Sequence, residues 1–293
     1  MTDDLFTFIP DDCIDIRVGD CRDILRDLPD NTYHACITSP PYYGLRHYGH
    51  PAQIGHEPTP DAYVENLIRV FREVHRILRD DATCWINIGD CYASSPPGNA
   101  KGVSDKSGLH GATTSDGYRD RLIKGHATKM DTSRIPGIPK KSLLLIPARL
   151  AIALQAEGWI VRHDIIWENP SGCESVKDRP SLSHEHILML SKSRRYYFDA
   201  SAVREVSGAN CRSVWKIASV PFKGAHFATM PPKLVERCLL ASTPEYGSVI
   251  DPFGGAGTTG LVARACGRRA TLIELNSGFA EVSRQRLGLD GSS

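Results

Sequence analysis

Two short stretches hold residues of the types that bind a nucleotide and handle an amine. The first is Asp251-Pro252-Phe253-Gly254-Gly255-Ala256-Gly257-Thr258-Thr259-Gly260, placed after the apolar run Ser248-Val249-Ile250 and before Leu261-Val262-Ala263-Arg264-Ala265. A further run, Ala270-Thr271-Leu272-Ile273, ends on Glu274. Strand, glycine turn, helix, strand and a closing acid is the order of a nucleotide site, the acid being suited to ribose hydroxyls. The glycines admit close backbone approach, and the helix start offers free N–H groups. Asp251 at the strand tip would repel a pyrophosphate and suits a ligand with a cationic end. S-adenosylmethionine has that form, with an ammonium, a sulfonium and a ribose diol. The plain alternative is an ordinary glycine turn between a strand and a helix.

The second stretch is Thr38-Ser39-Pro40-Pro41-Tyr42. An exocyclic amine on a base is a poor nucleophile because its lone pair is delocalised into the ring. Acceptors aimed at its hydrogens draw the nitrogen toward tetrahedral geometry and help remove a proton. Ser39 Oγ and the Pro40 carbonyl both accept, and Pro40 and Pro41 stiffen the backbone that aims them. Tyr42 offers a flat face to a base swung out of a duplex. A rigid proline turn with no chemistry is the competing reading. The turn ends a buried strand, where open α/β sheets place ligands.

These residues must be positioned by strands alternating with helices. Residues 14–18, 35–38, 83–88, 159–167 and 248–250 read as strands. Residues 59–78, with Val64, Leu67, Ile68, Phe71, Val74 and Leu78 at helical spacing, read as an amphipathic helix capped by Thr59. Helices are also expected at 142–156, capped by Ser142, and at 231–240. Residues 186–190 and 195–198 look like paired strands. Alternation implies a mostly parallel sheet covered on both faces. Too little chain follows Glu274 to finish a sheet, so the nucleotide unit is C-terminal in a circularly permuted α/β, Rossmann-like fold. The expectation is one catalytic domain over residues 1–293.

Composition narrows the class. The 293 residues are 41% hydrophobic and carry a net charge of +1, which argues neither for nor against nucleic acid. No apolar run approaches the ~20 residues of a membrane span. The start, Met1-Thr2-Asp3-Asp4, lacks a basic leader, so a cytoplasmic protein is expected. The nine cysteines form no Cys-x-x-Cys, and His184-Glu185-His186 lacks further ligands, so neither disulfides nor a metal is expected. Residues 94–141 break the pattern: they are polar, Gly/Ser-rich and structureless by periodicity. Between Lys101 and Lys141 nine basic residues face four acids, a local +5. Loops of that length inside a domain are usually functional or disordered.

The chain resembles the amino-group DNA methyltransferases of the permuted β class. The resemblance rests on Gly19-Asp20, Thr38 through Tyr42, Ile165-Ile166-Trp167, Ser183-His184-Glu185-His186, His226-Phe227-Ala228-Thr229-Met230-Pro231, Asp251 through Gly260 and Glu274-Leu275-Asn276. It implies Ser39, Pro40, Pro41 and Tyr42 as catalytic residues and S-adenosylmethionine as cofactor. Asp251, Phe253, Gly254, Gly255 and Gly257 would form the methionine-end turn, with Thr258 and Thr38 beside it. Glu274 would hold the ribose, with Asn276 nearby, and Asp20 would approach the adenine. His226, Ala228 and Thr229 would line the pocket. Many relatives carry Ser in place of Gly255. Ser-Pro-Pro-Tyr, rather than Asp-Pro-Pro-Tyr, points to the N4 amine of cytosine in double-stranded DNA, with adenine N6 as the alternative. Cytosine C5 chemistry lacks its Pro-Cys dipeptide. RNA or protein-glutamine methylation would need the opposite motif order, and an inactive DNA-binding module would not need both motifs intact. Arg119, Arg121, Lys124 and Lys129 are expected on phosphates, with target choice shared between residues 94–141 and 199–223. A prokaryotic or phage origin is implied, no membrane partner is expected, and a homodimer and a cognate restriction endonuclease stay open.

Overall fold

The apolar runs that end on the two motifs become neighbouring strands. The computed structural model describes residues 13–45, 50, 52–95, 130–168, 176–219 and 229–289. Its strands are β1 (Ile14–Val18), β2 (Tyr33–Thr38), β3 (Leu78–Ile88), β4 (Ile160–Glu168), β5 (His184–Ser191), β6 (Val214–Lys216), β7 (Ser248–Asp251) and β8 (Arg269–Glu274). They form a sheet in the order β1-β8-β7-β2-β3-β5-β4-β6. β3–β5 and β4–β5 are antiparallel, and the other pairings are parallel. The last two strands of the chain therefore lie inside the sheet, between its first and second strands. That is the permuted arrangement expected from the position of the glycine turn.

Both faces are covered. Helices α1 (Cys21–Ile24), α2 (Pro60–Ile77), α3 (Ile146–Ala156), α4 (Pro232–Ser242), α5 (Thr258–Ala265) and α6 (Ser277–Leu287) supply the layers. On one face Cys36, Cys84, Ile86 and Ile88 pack with Leu67, Phe71, Leu150 and Leu154 from α2 and α3. On the other, Ala35, Ile37, Trp85 and Val249 pack with Leu234, Leu239, Val262 and Leu287 from α4, α5 and α6. The alternation Ala35, Cys36, Ile37 between two cores is the pleat, and both faces are apolar because neither meets water. α2 begins as expected, with Thr59 accepting from the Ala62 N–H at 3.2 Å and Pro60 in the first turn.

The chain runs from β2 outward to β3 and from β7 outward to β8. The order thus reverses between β2 and β7, whose carboxyl ends carry Thr38 and Asp251. Such a switch point is where an open sheet leaves a crevice for ligand.

Several local expectations need correction. β3 starts at Leu78 instead of 83, because Leu78 pairs with Tyr33 across an irregularity in β2. α3 starts at Ile146, not Ser142. Leu145 sits at φ 57°, and the Ile146 N–H goes to the Asp90 carboxylate at 3.1 Å, so a distant acid supplies the cap. Residues 195–198 form no strand. Tyr197 N–H bonds to the Asp81 carbonyl at 2.8 Å and the chain leaves the sheet, while β5 pairs with β3 and β4. Within 199–219 the short strand β6 adds to β4 through Ile166↔Val214. No helix among the described residues is long and apolar enough to cross a membrane.

Candidate active site

One pocket at the switch point is lined by both motifs. Asp251, Phe253, Gly254, Gly255, Thr258, Glu274 and Asn276 form one side, Ser39, Pro40, Pro41 and Tyr42 another, and Asp20 and Thr229 reach it as well. Thr38 and Gly257 stand behind the lining. His226, Ala228, Arg119, Arg121, Lys124 and Lys129 lie outside the described residues.

Asp251 is only 2% exposed. Its Oδ1 accepts from Thr38 Oγ1 at 2.6 Å and from the Phe253 N–H at 3.1 Å, and its Oδ2 accepts from Thr259 Oγ1 at 2.7 Å. A carboxylate has about four acceptor positions, so roughly one is left for a ligand. Burial raises its pKa, and the bonds from Thr38, Thr259 and Phe253 oppose that rise. Thr38 thus serves the turn by fixing Asp251, which also ties β2 to β7.

Gly254 approaches β8 so closely that a Cβ would lie 3.0 Å from Leu272 Cβ. Gly257 has φ 76°, and a Cβ there would meet Ser283 Oγ at 2.2 Å, so it seats the turn against α6. Glu274 Oε2 accepts from the Gly255 N–H at 2.9 Å and Oε1 from the Asn276 N–H at 2.9 Å. Burial pushes its pKa up to about 7 against these backbone donors. Asn276 caps α6 by accepting from the Gly278 N–H at 2.8 Å. At the far end, Asp20 caps α1 and pairs with the Arg22 guanidinium at 2.5 Å. Burial alone would raise the Asp20 carboxyl, but the bonds and charge of Arg22 outweigh it and hold it below the usual range.

The proline loop is held from several sides. Tyr63 Oη, on α2, donates to the Pro41 carbonyl at 2.7 Å. Tyr42 Oη donates to Glu185 Oε2 on β5, and its ring lies where a Cβ on Gly89 would come within 2.7 Å. Burial and the Glu185 charge push the Tyr42 phenol well above its usual range. The hydroxyl is therefore locked as a proton donor, and the ring edge is fixed.

Sequence reasoning missed part of this site. His50, Ala52, Gln53 and Ile54 line the pocket from the segment after the proline loop, where Arg22 Nη2 holds the Ala52 carbonyl at 2.9 Å. Phe279 and Val282 form an apolar wall from α6. Asn87, Tyr63 and Glu185 support the proline loop. Apart from Glu185, which falls in the Ser183–His186 stretch, no local pattern marks these residues, because their roles arise from strand register, such as Ile88↔His186, and from helix packing. His186 Nδ1 meets Asp164 Oδ1 at 2.9 Å, and no group of three or more metal-ligating side chains occurs among the described residues.

The ends of the 94–141 segment are pinned beside the site. Ser94 N–H donates to Thr132 Oγ1 at 3.0 Å, Thr132 Oγ1 donates to the Tyr92 carbonyl at 3.0 Å, and the Met130 N–H meets the Gly44 carbonyl at 2.9 Å.

A permuted Rossmann-like sheet, with a glycine turn and a Ser-Pro-Pro-Tyr loop facing one crevice, is the architecture of a methyltransferase. The chain belongs to the N6/N4 DNA methylase family, whose sequence profile, described as DNA methylase, matches residues 33–285. It is 40% identical over 280 residues to the Type II methyltransferase M.SmaI of Serratia marcescens, covering 93% of this chain and 90% of the relative. It is 42% identical over 276 residues to the Type II methyltransferase M.Cfr9I of Citrobacter freundii, covering 92% and 86%. Among solved structures it is similar to the PvuII DNA methyltransferase (cytosine-N4-specific), with a TM-score of 0.68 at 20% identity over 96% of this chain and 90% of the other.

Proposed function

We infer that the protein transfers a methyl group from S-adenosylmethionine to the N4 amine of a cytosine flipped out of duplex DNA. The observation that carries this reading is the shared pocket: Glu274 and the glycine turn line it together with Ser39, Pro40, Pro41 and Tyr42. The residues present fit the cofactor. Glu274 holds a carboxylate at the ribose position, Asp251 keeps an acceptor for a cationic group, and Phe279 and Val282 supply apolar walls for an adenine. When bound, the cofactor supplies an electrophilic methyl carbon. Ser39 and the Pro40 carbonyl orient the amine by accepting its hydrogens, and the pinned loop keeps them aligned.

Serine at position 39 favours cytosine over adenine, which is the second reading on the same scaffold. A neutral hydroxyl both accepts from the amine and donates onward, whereas an aspartate there would only accept. Residues 94–141 are the proposed DNA-contacting insertion, with Arg119, Arg121, Lys124 and Lys129 on phosphates. The anchoring of its two ends beside Gly44 and Tyr92 supports that role. Residues 199–223 are a second candidate for target choice. A cognate endonuclease accords with the Type II naming of the relatives, and a homodimer is compatible with this reading.

The test is methyl transfer from labelled cofactor to duplex DNA, followed by digestion to nucleosides and mass spectrometry. N4-methylcytosine is expected. N6-methyladenine alone would reverse the base assignment. Label in RNA or protein with none in DNA would overturn the reading.

A further inference from the structure

The Tyr42 hydroxyl leads from the pocket to hydrogen bonds that converge on one carboxylate. Ser39 stands with Tyr42 on the pocket wall and interacts with its side chain. Tyr42 Oη donates in turn to Glu185 Oε2. The same carboxylate oxygen accepts from Asn87 Nδ2 at 3.0 Å, and Asn87 Nδ2 also faces the His186 carbonyl at 3.3 Å. These two contacts fix the amide, so its Oδ1, 3.3 Å from Tyr42 Oη, is a second acceptor facing the tyrosine. The Tyr42 and Asn87 donors thus converge on Glu185. Glu185 is half-buried and keeps a route to water. Its neighbour His186 is engaged by Asp164 of β4.

We propose that Glu185 is the acceptor of the proton released by the amine, reached through Ser39 and Tyr42. This rests on the amine-methylation reading above. In that reaction the C–N bond forms as the S–C bond breaks, the electron pair stays on sulfur, and the nitrogen is left with one proton too many. Ser39 Oγ takes that proton and passes its own to Tyr42 Oη, which passes its own to Glu185. Both hydroxyls end as they began, and Glu185 ends as a carboxylic acid that later loses its proton to water. The transfer is concerted, because burial and the Glu185 charge disfavour a tyrosinate. Glu185 acts through Tyr42 and does not touch the base.

The experiment compares Glu185→Gln, Glu185→Asp and Tyr42→Phe with wild type in single-turnover methyl transfer to duplex DNA across pH. Cofactor affinity is followed by calorimetry. Gln keeps an acceptor for Tyr42 but takes up no proton. Glu185→Gln and Tyr42→Phe are expected to bind cofactor normally and to lose about a hundredfold or more in rate, the range of general base catalysis. Glu185→Asp should recover part of it. The wild-type rate should fall as pH drops through a carboxylate ionisation that is missing in Glu185→Gln. A fluorotyrosine placed at position 42 should show a fluorine resonance that follows that ionisation in wild type and stays flat in Glu185→Gln. A Gln variant within about threefold of wild type, with an unchanged pH profile, would reduce Glu185 to a structural support and overturn the relay. If the Gln variant does not fold, the wild-type resonance decides alone, and one indifferent to pH through the carboxylate range overturns it. Wild type that methylates no DNA would overturn the amine reading and this proposal with it.

Discussion

The two halves of the pocket are built in opposite ways. The cofactor side is nearly self-contained in sequence. The turn after β7, the acid that ends β8 and the cap of α6 all fall between Asp251 and Gly278, and their bonds run among themselves, as from the Gly255 N–H to Glu274. The proline-loop side, proposed as catalytic, is assembled from afar. Ser39 through Tyr42 follow β2, but Tyr63 comes from α2, Gly89 follows β3, Asn87 lies on β3 and Glu185 on β5. A binding turn is thus carried by a short segment, while a loop that must aim two acceptors is braced by the whole sheet. The contacts that join the halves are few and specific, with Thr38 on Asp251 the shortest.

The largest expected effect tests the catalytic half. Ser39→Ala should leave cofactor affinity intact and lower turnover by about a hundredfold or more, as for the loss of a transition-state acceptor. Calorimetry and single-turnover kinetics on one preparation separate the two. Equal losses in both would mean that the halves are not functionally distinct.

A second effect concerns DNA and leaves both halves untouched. Replacing Arg119, Arg121, Lys124 and Lys129 by Ala should weaken binding to matched and mismatched duplexes alike. The slope of log affinity against log salt should flatten by about 0.9 per lost phosphate contact. A salt titration with an unchanged slope would make the 94–141 segment a surface insertion.

The third effect strikes the joint. Asp251→Ala strands the Thr38 and Thr259 hydroxyls and the Phe253 N–H, all buried or half-buried. Bonds to a charged group contribute roughly 1.5–3 kcal/mol each, so stability and cofactor affinity should both fall. Denaturant midpoints and calorimetry should move together, unlike the kinetics-only loss at Ser39.

The same contrast explains what the sequence reveals. The glycine turn, Glu274 and the proline loop were legible because their chemistry is carried by adjacent residues, and the permutation followed from where Glu274 falls in the chain. Glu185 was visible as the middle of a His-x-His within the Ser183–His186 stretch, with no sign of its link to Tyr42, and the Asp90 cap on α3 was hidden by a nearer Ser142. Both depend on register between β3 and β5 or on a loop folding back, which periodicity does not encode. The placing of Phe279 and Val282 on the pocket depends likewise on how α6 docks.

A pH titration of cofactor affinity probes the cofactor half. Glu274 is raised from 4.5 to about 7 by burial. Its contribution to stability is therefore full below about 4.5 and lost as pH rises through about 7. Ribose binding has the opposite sign, since hydroxyls donate best to the carboxylate. Cofactor affinity should rise up to about pH 7 and level off above it, changing by at most about tenfold per pH unit below. Glu274→Gln should flatten the curve. A wild-type curve already flat between pH 5 and 8 would remove Glu274 from the ribose, as a change of up to about tenfold per pH unit should be visible in the part of that window below about pH 7.

The smallest expected effect asks how self-contained the turn is. Gly255 has φ 51°, and a Cβ there would have only the Phe253 carbonyl oxygen near it, at 3.8 Å. Gly255→Ser therefore meets open space and bears only the cost of a left-handed conformation, roughly 1–2 kcal/mol. Its amide still reaches Glu274, so cofactor affinity should change little. Gly257→Ala has a similar φ cost but drives a Cβ into Ser283 Oγ. Relief requires the Ser283 hydroxyl to rotate away and, with Ser283 Cβ 3.2 Å and Leu287 Cδ1 3.3 Å from the new Cβ, α6 to give slightly; α6 carries Phe279 and Val282 into the pocket. Thermal unfolding and cofactor calorimetry on the two variants should therefore diverge, with Gly255→Ser mildly destabilised and Gly257→Ala impaired in both. Matching losses would show that the turn's energetics are set by its backbone alone. In that case the cofactor half would be as independent of the rest of the fold as its sequence suggests, and the docking of α6 would be incidental to it.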